Sequence, residues 1–66
     1  MNKFAERLKK VLAENNVMQK DLAIKLNVAG ETISHYCTGK REPSLDMLLK
    51  ISRALGETTD YLLGND

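Results

Sequence analysis

An all-α fold of five short helices is the architecture this sequence predicts. Three observations predict it. Apolar residues recur at helical spacing, most clearly Phe4, Leu8, Val11 and Leu12 at i, i+4, i+7 and i+8. Helix-ending residues stand at short intervals: Asn15-Asn16, Asn27, Gly39, Gly56 and Gly64. No run alternates polar and apolar residues for long, and β-branched residues are scattered, so no strand is expected.

The first helix is expected over Lys3 to Glu14, with Asn2 as its N-cap and Lys and Glu on the outer face. The second runs from Gln19 to Leu26, with Leu22, Ala23 and Leu26 inward. Met18 precedes it and is a poor cap. Asn27 suits a left-handed exit, because its short amide tolerates positive φ. The third spans about Gly30 to Thr38, with Ile33, Tyr36 and Cys37 inward and Gly39 as its stop. Lys40-Arg41-Glu42-Pro43 then reads as a loop. Ser44 caps a fourth helix over Leu45 to Leu55, whose inner stripe is expected to be Leu45, Leu48, Ser52 and Leu55, flanked by Leu49 and Ile51. Thr58 or Thr59 caps a last short helix through Leu63. Connections this short suit a helical bundle, and residues 1–66 read as one domain.

Composition narrows the functional classes. The chain has 66 residues, 42% of them apolar and 29% charged. A chain of this size buries only about 60% of its unfolded surface. The longest apolar runs are three residues, far below the roughly 20 of a membrane span. The start, Met1-Asn2-Lys3-Phe4, carries no hydrophobic signal region, so a cytoplasmic location is expected. The one cysteine, Cys37, allows no internal disulfide and no zinc cluster, and it reads as a core thiol. No metal, cofactor or small-molecule ligand is expected, and no separate sensing domain is expected within 66 residues. Net charge is +1. Residues 1–25 carry six Lys/Arg against three acids, whereas residues 42–66 carry two against five. The front is basic and the back acidic, as suits a molecule with one face toward nucleic acid.

The functional signal lies in residues 19–38. Two short helices are separated by three residues. Ala23 is small where they should cross, and Val28 can plug the angle between them. That packing makes the second helix protrude, as in a helix-turn-helix. A protruding helix fits a DNA major groove, which is about 12 Å wide. Its outward residues suit base edges. Glu31 can accept from cytosine, Thr32 offers a methyl and a hydroxyl, and Ser34 and His35 donate or accept. Gly30 permits close approach. Gln19, Lys20, Lys25, Thr38, Lys40 and Arg41 are types that hold phosphates. For Glu31 a solvent-facing role near a helix N-terminus competes with base readout. Tyr61, Leu62 and Leu63 serve either as core under the first helix or as a dimer contact.

At this point the chain resembles the Xre/Cro-type helix-turn-helix repressors, the group that includes the lambdoid phage repressors. The resemblance rests on Gln19-Lys20-Asp21-Leu22-Ala23, Glu31-Thr32-Ile33-Ser34, Gly39-Lys40-Arg41-Glu42-Pro43-Ser44-Leu45, and the ending from Leu55-Gly56 to Asp60-Tyr61-Leu62-Leu63-Gly64. It implies a five-helix, lambda-repressor-like DNA-binding domain that binds double-stranded operator DNA as a homodimer. It places Gln19 on phosphate, Gly30, Glu31, Thr32 and His35 at base-reading positions, and Thr38, Lys40 and Arg41 on phosphate.

Departures from the family pattern are informative. Ser or Thr usually precedes Gln19 and usually occupies position 29. Met18 and Ala29 stand there instead, which weakens each cap by roughly 1 kcal/mol. Gly30 replaces a long polar side chain and removes one potential base contact. Relatives often pair an Arg in the first helix with a Glu ending the third. Leu12 and Cys37 hold those places, so an apolar pair is expected to replace the ion pair and to touch. A sequence-specific repressor is thus the leading expectation. A protein-interaction module on the same fold, such as an antitoxin or accessory regulator, is the alternative. No constellation of catalytic residues points to an enzyme.

Overall fold

The computed structural model describes residues 3–65. Five helices follow one another: α1 (Phe4–Glu14), α2 (Gln19–Leu26), α3 (Gly30–Thr38), α4 (Leu45–Leu55) and α5 (Thr59–Leu63). No strand occurs among the described residues. α3 packs against α1 and α2, α4 against α2 and α5, and α5 closes back on α1.

The core explains that arrangement. Phe4, Leu8, Val11 and Leu12 of α1, Leu22 and Ala23 of α2, and Ile33, Tyr36 and Cys37 of α3 are buried together with Leu48, Ile51 and Leu62. None of the buried described residues is polar or charged. Removing such side chains from water is the main force holding a domain of this size. Phe4 meets Tyr36 edge-on, with ring centroids 6.0 Å apart, a favoured aromatic geometry. Leu12 and Cys37, expected to replace an ion pair, are only 4% and 2% exposed and belong to this same cluster. Burial pushes the Cys37 thiol above its ordinary pKa, and Lys9 partly opposes that shift.

The inner stripe of α4 differs from the sequence expectation. Leu45 is 81% exposed, Leu49 is exposed as well, and Ile51 is fully buried. The inward side therefore centres on Leu48 and Ile51, with Leu55 half-buried. These three fall at i, i+3 and i+7, a regular helical stripe. Leu45 is the first residue of the helix, and its side chain turns out of the core.

Helix ends follow their local chemistry. α1 starts after Lys3, which makes no side-chain cap; Asn2, the expected cap, lies outside the described residues. Asn27 leaves α2 at φ 59°, and Gly39 leaves α3 at φ 77°. Ser44 caps α4 by accepting from the Met47 amide at 3.1 Å. Thr58, rather than Thr59, caps α5 by accepting from the Tyr61 amide at 3.0 Å. Arg7 ties α5 to α1. The Arg7 guanidinium lies 4.4 Å from the centroid of the Tyr61 ring and donates to the Tyr61 carbonyl at 2.8 Å.

Candidate nucleic-acid interface

The α2–turn–α3 unit is built from short-range chemistry. The amide of Val28 donates to the Ala23 carbonyl at 2.9 Å, and that of Asn27 to Ile24 at 3.1 Å. These bonds close the C-terminus of α2 while Asn27 takes its left-handed conformation. Val28 is half-buried and packs on the core, as expected for a plug between two helices. Ala29 then starts α3 without a side-chain cap.

α3 has two unlike sides. Ile33, Tyr36 and Cys37 are buried. Gly30 and Glu31 are exposed, while Thr32, Ser34 and His35 are half-buried. A Cβ placed on Gly30 would meet no atom within 4 Å, so the missing side chain leaves open space rather than a packed contact. The five expected base-reading positions thus lie together on one short helix, with a gap at its first residue.

The expected phosphate-contacting residues border this helix. Gln19 and Lys20 are exposed at the start of α2. Thr38, Lys40 and Arg41 are exposed where α3 ends and the next loop begins. The loop is held by one carbonyl: His35 accepts from the amides of Lys40 (3.0 Å) and Arg41 (3.3 Å) and from the Thr38 hydroxyl (3.3 Å). The Lys40 and Arg41 side chains therefore leave from a fixed backbone. Thr38 spends its hydroxyl proton within the helix.

Sequence reasoning missed two ties. Asp21 accepts from the Met18 amide at 3.3 Å, the return half of a capping box. The three-residue spacing from Met18 to Asp21 carries that signal, but methionine at the cap hides it. The tie between Arg7 and Tyr61 had no local signal, because 54 positions separate the partners. Of the C-terminal residues, Leu62 is fully buried within the protomer, and Tyr61 and Leu63 are half-buried. Any surface contact by this segment falls to the latter two.

A family model described as helix-turn-helix matches residues 8–62. The chain belongs to the Xre/Cro-type helix-turn-helix family. It is 41% identical over 63 residues to the HTH-type transcriptional regulator ImmR of Bacillus subtilis, covering 96% of this chain and 50% of that protein. A SPbeta prophage-derived HTH-type transcriptional regulator of the same organism, YonR, is 40% identical over 60 residues, covering 91% of this chain and 56% of the relative. The crystal structure of a transcriptional regulator from Listeria innocua superposes with a TM-score of 0.89 at 26% identity, covering 97% of this chain and 60% of that one. The chain thus spans about half the length of these Bacillus relatives. Among the described residues no helix is long and apolar enough to cross a membrane, and no group of three or more His, Cys, Asp or Glu gathers as metal ligands do.

Proposed function

We propose that residues 1–66 act as one DNA-binding domain of a transcriptional regulator, a repressor that places α3 in the major groove of a specific double-stranded site. The observation that carries this reading is the two-sidedness of α3 within a family helix-turn-helix. Ile33, Tyr36 and Cys37 fix it to the body, while Gly30, Glu31, Thr32, Ser34 and His35 line its other side. In this reading those five residues meet base edges. Gln19, Lys20, Thr38, Lys40 and Arg41 hold the flanking phosphates and set the register. One protomer reads few base pairs, so the chain acts as a homodimer with recognition helices about 34 Å apart, one turn of DNA. Tyr61 and Leu63 contribute to the dimer contact from α5.

Selection of binding sites from random duplexes with the purified chain, followed by titration at several salt concentrations, tests this. The expected result is one enriched sequence with two-fold symmetry, bound far more tightly than random DNA, with affinity falling steeply as salt rises. Alanine at Glu31 or His35 should change which bases are preferred. Alanine at Lys40 or Arg41 should weaken all duplexes alike and lower the salt slope by about 1 for each phosphate left without its cation. No enrichment and no salt-dependent binding would overturn the reading in favour of a protein-interaction module.

A further inference from the structure

A shallow, open depression between α2 and α4 shares only Lys25 with the residue types read above as suited to phosphate. Lys25, Leu26, Lys50, Arg53 and Ala54 line it. The three cations are exposed, and Leu26 and Ala54 form a half-buried apolar floor. Lys50 and Arg53 are three residues apart on α4 and so are neighbours on one helical face. Lys25 is drawn in from α2, where its ammonium donates to the Ala54 carbonyl at 3.3 Å. That bond accounts for one cation at a helix C-terminus, where positive charge is favoured. It leaves Lys50 and Arg53 unexplained. Among the described residues, none of the three has a carboxylate within ion-pair distance. Like charges thus converge over an apolar floor without a neutralising partner in a chain that has nine acidic residues available.

We propose that this depression docks an acidic segment of a partner protein that carries apolar side chains between its carboxylates. The carboxylates pair with Lys25, Lys50 and Arg53. The apolar side chains settle on Leu26 and Ala54 and on Leu49, which is 44% exposed and stands one turn before Arg53. Two observations favour a peptide over a DNA backbone. The floor is apolar, and phosphates and sugars gain little from it. The site is also set back from the expected DNA contacts. At the rise of an α-helix, Lys25 lies about 9 Å along α2 from Gln19. The proposal stands independently of DNA binding.

The test titrates the isotope-labelled full chain, followed by amide NMR, with a synthetic peptide of repeated Glu-Glu-Leu triplets and, separately, with a duplex. The expected result is salt-sensitive shifts for the peptide at Lys25, Leu26, Lys50, Arg53 and Ala54, with residues 30–41 undisturbed. The combined variant Lys25→Glu, Lys50→Glu, Arg53→Glu should weaken the peptide by about tenfold or more, since each exposed ion pair contributes modestly. Should charge reversal disturb folding, Lys25→Gln, Lys50→Gln, Arg53→Gln serves instead and should still lose most of the affinity. Three results overturn the proposal: no shifts at the depression, peptide shifts on residues 30–41, or duplex shifts at the depression as strong as the peptide's.

Discussion

The helices of the front, α2 and α3, and those of the back, α4 and α5, end alike but begin differently. All four leave through a left-handed residue: Asn27, Gly39, Gly56 and Gly64. At their starts, Ser44 and Thr58 cap the back helices with their hydroxyls, whereas Met18 and Ala29 offer the front helices no side-chain acceptor. The first turn of a helix presents amides that need a partner. Each back helix gives one of these amides a hydroxyl partner, that of Met47 or of Tyr61, whereas the corresponding amides of the front helices, those of Asp21 and Thr32, turn back to the carbonyls of Met18 and Ala29. The front starts thus carry no hydroxyl over a helix end where an anion such as a DNA phosphate is favoured. The difference separates what folding requires from what binding uses: the exits shape the chain, and the open entries belong to the proposed interface.

Truncating the core would be the most severe challenge to that division. Ile33→Ala in the front and Ile51→Ala in the back each remove a fully buried side chain, and each should cost about 2–4 kcal/mol. Both variants should melt in a single transition, with the same destabilisation reported by every probe. A front that melts before the back would break the comparison, because the two regions would then be separate cooperative units.

Exchanging the caps is the direct test, at about 1 kcal/mol in either direction. Ser44→Ala should lower stability, and Ala29→Ser should raise it, as measured by denaturant midpoints. Equal and opposite shifts would show that the front forgoes a cap it could have had. If Ala29→Ser gains stability without any change in duplex affinity, the open start of α3 has no role in binding.

A smaller gain is expected from Gly30→Ala. The site is helical and its Cβ would meet nothing, so the variant should be more stable by about 0.5 kcal/mol. A longer polar residue there, Gly30→Gln, should reach one more base and narrow the selected sequence. An unchanged preference would mean that the gap lies off the DNA.

Cys37 gives the smallest effect near neutrality. Its thiol pKa is raised in the folded chain, chiefly by burial. The unfolded chain therefore releases this proton first as pH rises. Stability is unaffected below the ordinary thiol range and falls as pH climbs through it toward the folded value. Thiol alkylation should be slow in the native chain and fast after unfolding. Rapid native modification would show that α1 and α3 part easily.

Where periodicity and stop residues agreed, the sequence was a sufficient guide. The α1 stripe, the three inward residues of α3 and the four left-handed exits follow from local rules. The stripe of α4 did not, because leucines occur all around that helix. Leu45 and Leu49 are as apolar as Leu48, and only the position of α2 and α5 decides which faces inward. On α2, by contrast, Ile24 stands outside the expected inward stripe and is 76% exposed. For the interface, local patterning was enough to assign the candidate residues to α2, α3 and the loop that follows. It carried no sign that a single carbonyl, that of His35, fixes the loop bearing Lys40 and Arg41, since backbone bonding across a helix exit leaves little trace in side-chain identity.

The closure of α5 on α1 also brings distant parts of the chain together. The Lys3 amide donates to the Leu63 carbonyl at 3.4 Å, and a Cβ on Gly64 would lie 2.8 Å from that of Lys3. Residues 3 and 64 are thus stitched at one spot. A short covalent bridge there would restore continuity if the backbone were opened elsewhere, for instance at the exposed Gly56 between α4 and α5. The order in which these helices are strung would then be separable from the shape they make.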